Sequence, residues 1–170
     1  MSTNPQATAP QATAPQAAAP QATAGRPFLL AAAWLSIAAS LLHLAVIVGG
    51  PDWYRFFGAG EELARAAERG SPVPAIMTAA IAAILAGWAA YAFSAAGLIR
   101  GLPLRRTALI AIAAVLFART ALAFVPSAWA PENNTTAFIF WSSFACFVLG
   151  LCFAVGTWGT WRSLSHSGPQ

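Results

Sequence analysis

VPAIMTAAIAAILAGWAAYAFSAAGL, residues 73–98, decides the fold, because it holds no charged side chain from end to end. A helix of about 20 mostly apolar residues crosses a hydrocarbon core of about 30 Å. Three further stretches of similar character lie around it, at Pro27–Val48, Thr107–Val125 and Thr136–Trp161. The reading is an all-α, integral membrane, four-helix transmembrane bundle. Its spans fall at about 27–48, 73–98, 107–125 and 136–161.

Composition agrees. Only 8% of the 170 residues are charged and 58% are hydrophobic, whereas a soluble domain carries about 25% charged residues. So few charges do not cover a water-facing surface, and they suit a lipid-facing one. The net charge is +4 and every basic side chain is Arg. The arginines are spread over short loops, so they read as topology signals and not as a nucleic-acid surface.

Upstream of the first span, PQATA, PQATA, PQAAA and PQATA repeat from Pro5 to Ala24. A proline every fifth residue interrupts helix, and no large apolar side chain offsets the entropy of ordering. Residues 1–26 read as a disordered Pro/Ala/Gln-rich cytoplasmic tail, 27–162 as the four-helix domain and 163–170 as a short polar tail. The start lacks the basic region of a secretory signal, and the first apolar run begins too late for one.

Working outward from helix to loop, Gly49-Gly50-Pro51 reads as a stop for the first span. Asp52-Trp53-Tyr54-Arg55-Phe56-Phe57 follows, aromatic as a membrane boundary is, with Asp52 placed to cap a short helical turn. Glu61 to Arg69 has acids leading and arginines trailing, which predicts a short extramembrane helix with a Glu61–Arg65 pair. Ala80, Gly87 and Ser94 share a seven-residue spacing, which predicts a close-packing face on the second span. Gly101 to Arg106 is a tight link, so the second and third spans are expected as antiparallel neighbours.

Sidedness follows from the arginines. Arg26, Arg100, Arg105, Arg106 and Arg162 fall on one side, and Arg55, Arg65 and Arg69 on the other. The richer side is cytoplasmic by the positive-inside rule, which puts both termini inside. Asn133-Asn134-Thr135-Thr136 holds glycosylation sequons that matter only in a eukaryotic secretory route. The Ala- and Arg-rich, Lys-free composition points instead to a bacterial inner membrane.

Two titratable side chains lie inside spans, His43 and Arg119. Each is about five residues from the outer end of its helix, so both sit roughly 8 Å below one surface. Thr78, Ser142 and Ser143 share that depth. Ser36, Ser40 and His43 make an inward line on the first span, and Ser143, Cys146, Gly150 and Thr157 another on the fourth. The expected site is a polar pocket in the outer half, lined by His43, Arg119 and Ser143 and covered by the loop of Asp52, Tyr54 and Glu61. Arg119 either holds an anionic group or pairs with Asp52 or Glu61 and fixes the loop.

Several chemistries find no support. A second membrane histidine for haem is missing, His166 being in the tail. Cys146 and Cys152 are six apart on a helix and read as packing residues, not a dithiol or metal pair. HExxH, P-loop and GxSxG motifs are missing. No metal and no cofactor are expected.

The stretch His43 to Tyr54, HLAVIVGGPDWY, followed by Gly58-Ala59-Gly60-Glu61, resembles the first-loop region of small uncharacterised four-helix bacterial inner-membrane proteins, DoxX-like in layout. The resemblance implies a four-helix inner-membrane bundle, some members of the group being associated with oxidoreductase systems. It carries over no functional residue. The function expected is a non-enzymatic accessory or ligand-binding membrane component. Its partners are the lipid bilayer, a lipid or quinone-like molecule, and a membrane protein or a second copy. The alternatives are a small membrane enzyme using His43 as acid/base and Arg119 as anion stabiliser, or an oligomeric transporter.

Overall fold

The computed structural model describes residues 24–125 and 136–161. The pentamer repeat, Trp129, Glu132, most of the sequon segment, Arg162 and His166 lie outside them. Five helices follow in order: α1 Arg26–Phe56, α2 Glu61–Glu68, α3 Val73–Ala95, α4 Arg105–Leu122 and α5 Thr136–Gly159. Among the described residues there is no strand.

Three helices are long and apolar enough to cross a membrane: Arg26–Phe56, Val73–Ala95 and Phe138–Gly159. The other long helix, α4, is shorter at 18 residues and holds Arg105, Arg106 and Arg119. Large apolar side chains cover the outside, among them Trp34, Leu41, Ile76, Ile84, Phe140 and Trp141.

The helices form a ring. α1 packs on α3 and α5, and α4 packs on α5 and more lightly on α3. α1 and α4 therefore stand across from each other with little direct packing. The N-terminus of α1, the C-terminus of α3, the N-terminus of α4 and the C-terminus of α5 share one end. Arg26 Nε donates to the Ala96 carbonyl at 3.1 Å, and Arg105 donates to the Ser94 carbonyl at 3.3 Å. Two cations thus meet the carbonyl-rich end of α3, where the helix dipole favours them.

Gly97 ends α3 with φ +78°. Its N–H bonds the Ser94 carbonyl and that of Leu98 bonds Phe93, the pair of bonds that satisfies a helix C-terminus. Ser94 is fully buried, and its hydroxyl donates to the Arg100 carbonyl and accepts from the Leu102 N–H. That one side chain folds the α3–α4 link back on itself. The small face expected at Ala80, Gly87 and Ser94 is not a packing face: Ala80 and Gly87 are exposed. The inward line is instead Pro74, Thr78, Ala82, Leu85, Ala89 and Ala92.

The Gly-Gly-Pro stop is a kink. Gly50 breaks the helical backbone at φ 69°, ψ −154°, and the helix resumes at once through Phe56. A β-carbon disfavours that conformation, so glycine is needed there. Pro51 then starts the resumed turn, where its missing N–H costs nothing. Asp52 lies inside this turn and pairs with Arg55 at 3.5 Å instead of capping it.

The main core occupies the half of the bundle at the Arg26 end. Leu29, Ala32, Ala33, Ala92, Leu109, Leu116 and Phe153 fill it, with Phe153 fully buried. At its edge α1 and α5 meet through glycines. A β-carbon on Gly159 would lie 2.6 Å from Gly25 Cα, and one on Gly156 would lie 2.8 Å from Leu29 Cγ. A β-carbon on Gly87 would meet nothing within 4 Å.

The same substitution should therefore act oppositely at two glycines. Gly159→Ala is expected to destabilise by about 1–3 kcal/mol through overpacking. Gly87→Ala is expected to stabilise by about 0.5–1 kcal/mol through lost backbone freedom. Thermal unfolding of both variants in one detergent, followed by circular dichroism, checks the pair of signs.

Candidate functional site

The half of the bundle away from the Arg26 end is polar inside. Ser40, Thr78 and Ser143 are buried, while His43, Arg119 and Thr120 are half-buried. Alanine at neighbouring positions lets hydroxyls reach across between helices. Ser40 Oγ donates to the Ala82 carbonyl of α3 at 2.8 Å. Thr120 Oγ1 donates to its own Leu116 carbonyl at 2.9 Å and approaches the Ser143 carbonyl of α5 at 3.4 Å. Interhelical hydrogen bonds of this kind contribute only about 0.6 kcal/mol each on average in membranes. They set register more than they set stability.

The expected lines on the first and last spans do face inward. Ser36 is fully buried and Ser40 nearly so. Ser143, Gly150 and Thr157 are buried, with Cys146 half-buried beside them. Among the described residues the hydroxyls of Ser36 and Ser143 have no hydrogen-bond partner. Leaving a buried hydroxyl without a partner costs about 1–3 kcal/mol.

His43 and Arg119 are placed by different helices and turn to different neighbours. The His43 ring bonds the Ala39 carbonyl of its own helix at 2.7 Å through Nδ1. A carbonyl accepts, so Nδ1 carries the proton and Nε2 is the open acceptor. Arg119 lies in electrostatic reach of Cys146 on α5. α1 and α4 are not adjacent in the ring.

The loop residues are gathered elsewhere. Arg55 is the hub: its Nε meets Glu61 at 2.9 Å and its Nη2 meets Glu68 at 2.7 Å, with Asp52 at 3.5 Å. Glu61 also accepts from Arg65 at 3.0 Å, the pair expected from their spacing. Asp52 and Glu61 are thus paired to Arg55. Tyr54 is not displayed on the loop: it is buried with Val46 and Ala64 beneath α2, 2% exposed, and its phenol oxygen has no hydrogen-bond partner among the described residues. The Phe138 ring of α5 seats against Gly58, where a β-carbon would collide with it. The loop is therefore clamped to α1 by charge and by Tyr54, and to α5 by that ring. Arg55 was the residue the sequence reading passed over. Its signal is the set of acids Asp52, Glu61 and Glu68 at spacings of three, six and thirteen.

A groove of about 200 Å³ lies at the opposite end of the bundle from His43 and Arg119, between α4 and α5. Leu109, Ile110 and Ala113 form one wall, and Ala154, Trp158 and Trp161 the other. Among the described residues no group of His, Cys, Asp and Glu is arranged to hold a metal. No family model matches the chain, and no curated protein or solved structure is similar to it.

The clamp has a pH limit. Hydrogen bonds from Arg55 and then Arg65 hold the Glu61 carboxyl below its ordinary value of 4.5. A depressed folded pKa means that the pairing helps above that ordinary value and is lost as pH falls through the lower folded one. Residues 52–69 should keep their full hydrogen-exchange protection, after correction for intrinsic rates, above the ordinary carboxyl value of 4.5 and lose it progressively as pH falls below it. Arg55→Gln should lack that protection already at neutral pH, while α3 and α5 keep theirs.

Proposed function

We propose that this chain is a multi-pass membrane protein of the bacterial inner membrane, a non-enzymatic accessory or ligand-binding component. In this reading its polar layer in the outer half of the bundle receives a lipid-like or quinone-like molecule. The observation that carries the reading is the contrast between the two halves. One is filled with Leu, Ala and Phe, and its hydroxyls at Ser94, Thr157 and Thr160 are each bonded to a carbonyl; the other adds an imidazole and a guanidinium to its hydroxyls among apolar helices. A charged group at membrane depth costs about 2.5–3.5 kcal/mol on insertion scales. Such a layer persists where it has a role.

Chain parity supports α4 as a fourth span. α3 and α5 both finish at the Arg26 end, so the chain has to return between them. α4 is the helix that makes the return. Its 18 residues reach roughly 27 Å, just short of the hydrocarbon thickness. Arg105 and Arg106 stand at its very end, where long cationic side chains extend to the interface. Arg26, Arg100, Arg105 and Arg106 at that end, without an acid among the described residues there, support cytoplasmic termini. The four-helix layout is also the one that the DoxX-like resemblance implies.

The enzyme alternative draws on His43, whose Nδ1 bond leaves Nε2 as the basic nitrogen. It has less support, since Arg119 sits on a helix that does not adjoin α1.

Three readouts test the proposal. A periplasm-active reporter should be active when fused within 62–70 and silent at residue 170. Native mass spectrometry of gently extracted protein should detect a small amphiphile that Arg119→Gln and Ser143→Ala lose without a change in helicity. If both variants instead lower folded yield and nothing accompanies the wild type, the polar layer is structural.

A further inference from the structure

We propose that the groove between α4 and α5 is a binding site for one anionic phospholipid, with an acyl chain along the groove and the phosphate at Arg106. This rests on the membrane reading but not on the polar layer, which lies at the other end. The groove walls are apolar. The hydroxyl of its lining residue Thr157 is turned to the Phe153 carbonyl at 2.6 Å, so apart from the indole N–H groups of Trp158 and Trp161 the walls offer hydrocarbon contact. A polar solute gains little there; a hydrocarbon chain gains more.

The mouth of the groove is cationic. The Arg106 guanidinium stacks on the Trp161 ring, 3.1 Å from its centroid, and Trp161 is itself a lining residue. Stacking fixes the plane of the guanidinium, and its fork matches two phosphate oxygens. The first turn of α4 has no side-chain cap, so the partial positive charge of its N-terminus adds to the field at the same end. Arg26 and Arg105 donate to the end of α3 and add to the positive field without standing at the groove.

The direction of the groove selects the occupant. It runs from Arg106 and Trp161 at the bundle end toward Ala113 and Ala154, about one and a half to two turns deeper, or roughly 10 Å. A cation at the rim and hydrocarbon below fit an amphiphile with an anionic head. Basic sites between helices on the cytoplasmic side take such lipids. Trp158 is 84% exposed beside the groove, an anchor of the interfacial kind.

The test uses the full chain in a mild neutral detergent, offered phosphatidylglycerol or phosphatidylcholine and read by native mass spectrometry. Wild type should retain one phosphatidylglycerol in preference to phosphatidylcholine. Arg106→Gln should lower phosphatidylglycerol retention about fivefold and leave phosphatidylcholine unchanged. Ile110→Trp, which fills the groove from an exposed position, should lower both. A phosphatidylglycerol with a photoreactive acyl chain should crosslink wild type within 109–113 or 154–161, a readout that needs no variant. Equal retention of the two lipids by wild type, crosslinking only elsewhere, or a lipid-free dimer closed over the groove would overturn the site. A chain that stays monodisperse without detergent would instead overturn the membrane reading itself.

Discussion

A chain that buries Leu29 and Phe153 and exposes Trp34, Ile84 and Trp141 does not sort the residues of its long helices into an apolar inside and a polar outside. What constrains it is the backbone, because every N–H and C=O inside an apolar medium needs a partner from its own segment. That requirement favours helices at each long apolar run and leaves only the ends free to vary. The ends are therefore where the specific chemistry of this protein collects. Gly97 and Ser94 close α3, arginines reach the carbonyls beyond it, and Arg55 gathers three carboxylates at the opposite end.

The two ends are built differently. At the Arg26 end cations meet carbonyls and an indole, contacts that no carboxylate shares among the described residues. They persist across any pH at which arginine stays charged. At the other end the contacts are between full charges on the exposed helix α2 and the kinked turn of α1, so protons and salt can loosen them. The packed core adjoins the first end and the polar layer adjoins the second.

Helix positions were legible in the sequence because length and lack of charge suffice to set them. The facing of α2 was legible too, since charge alternates with alanine at a helical period and Glu61–Arg65 follows from spacing alone. The facing of α3 was not. Ala80 and Gly87 looked like a packing stripe, yet the helix is so uniformly apolar that no amphipathic period marks an inside. The break at Gly50 and a helical turn beyond it were legible, but not that Pro51 opens that turn directly and leaves Asp52 inside it, because a glycine followed by proline can end one helix and begin the next. Depth along the helices placed His43 and Arg119 in one layer. Their separation depends on the order of helices around the ring, and that is a long-range property no local pattern records.

Ring order also explains why the lipid groove and the polar layer coexist without interfering. α4 is tightly apposed to α5 at mid-height, where Gly150 lets the Phe117 ring come within 3.3 Å of a β-carbon position. Phe117 and Phe147 then meet edge to face at 6.0 Å. Above this contact Thr120 and Ser143 turn inward; below it the helices part around Ala113 and Ala154 and open outward to lipid. One glycine and two rings thus separate an inward-facing polar surface from an outward-facing apolar one on the same helix pair. A change at that waist would be felt by both.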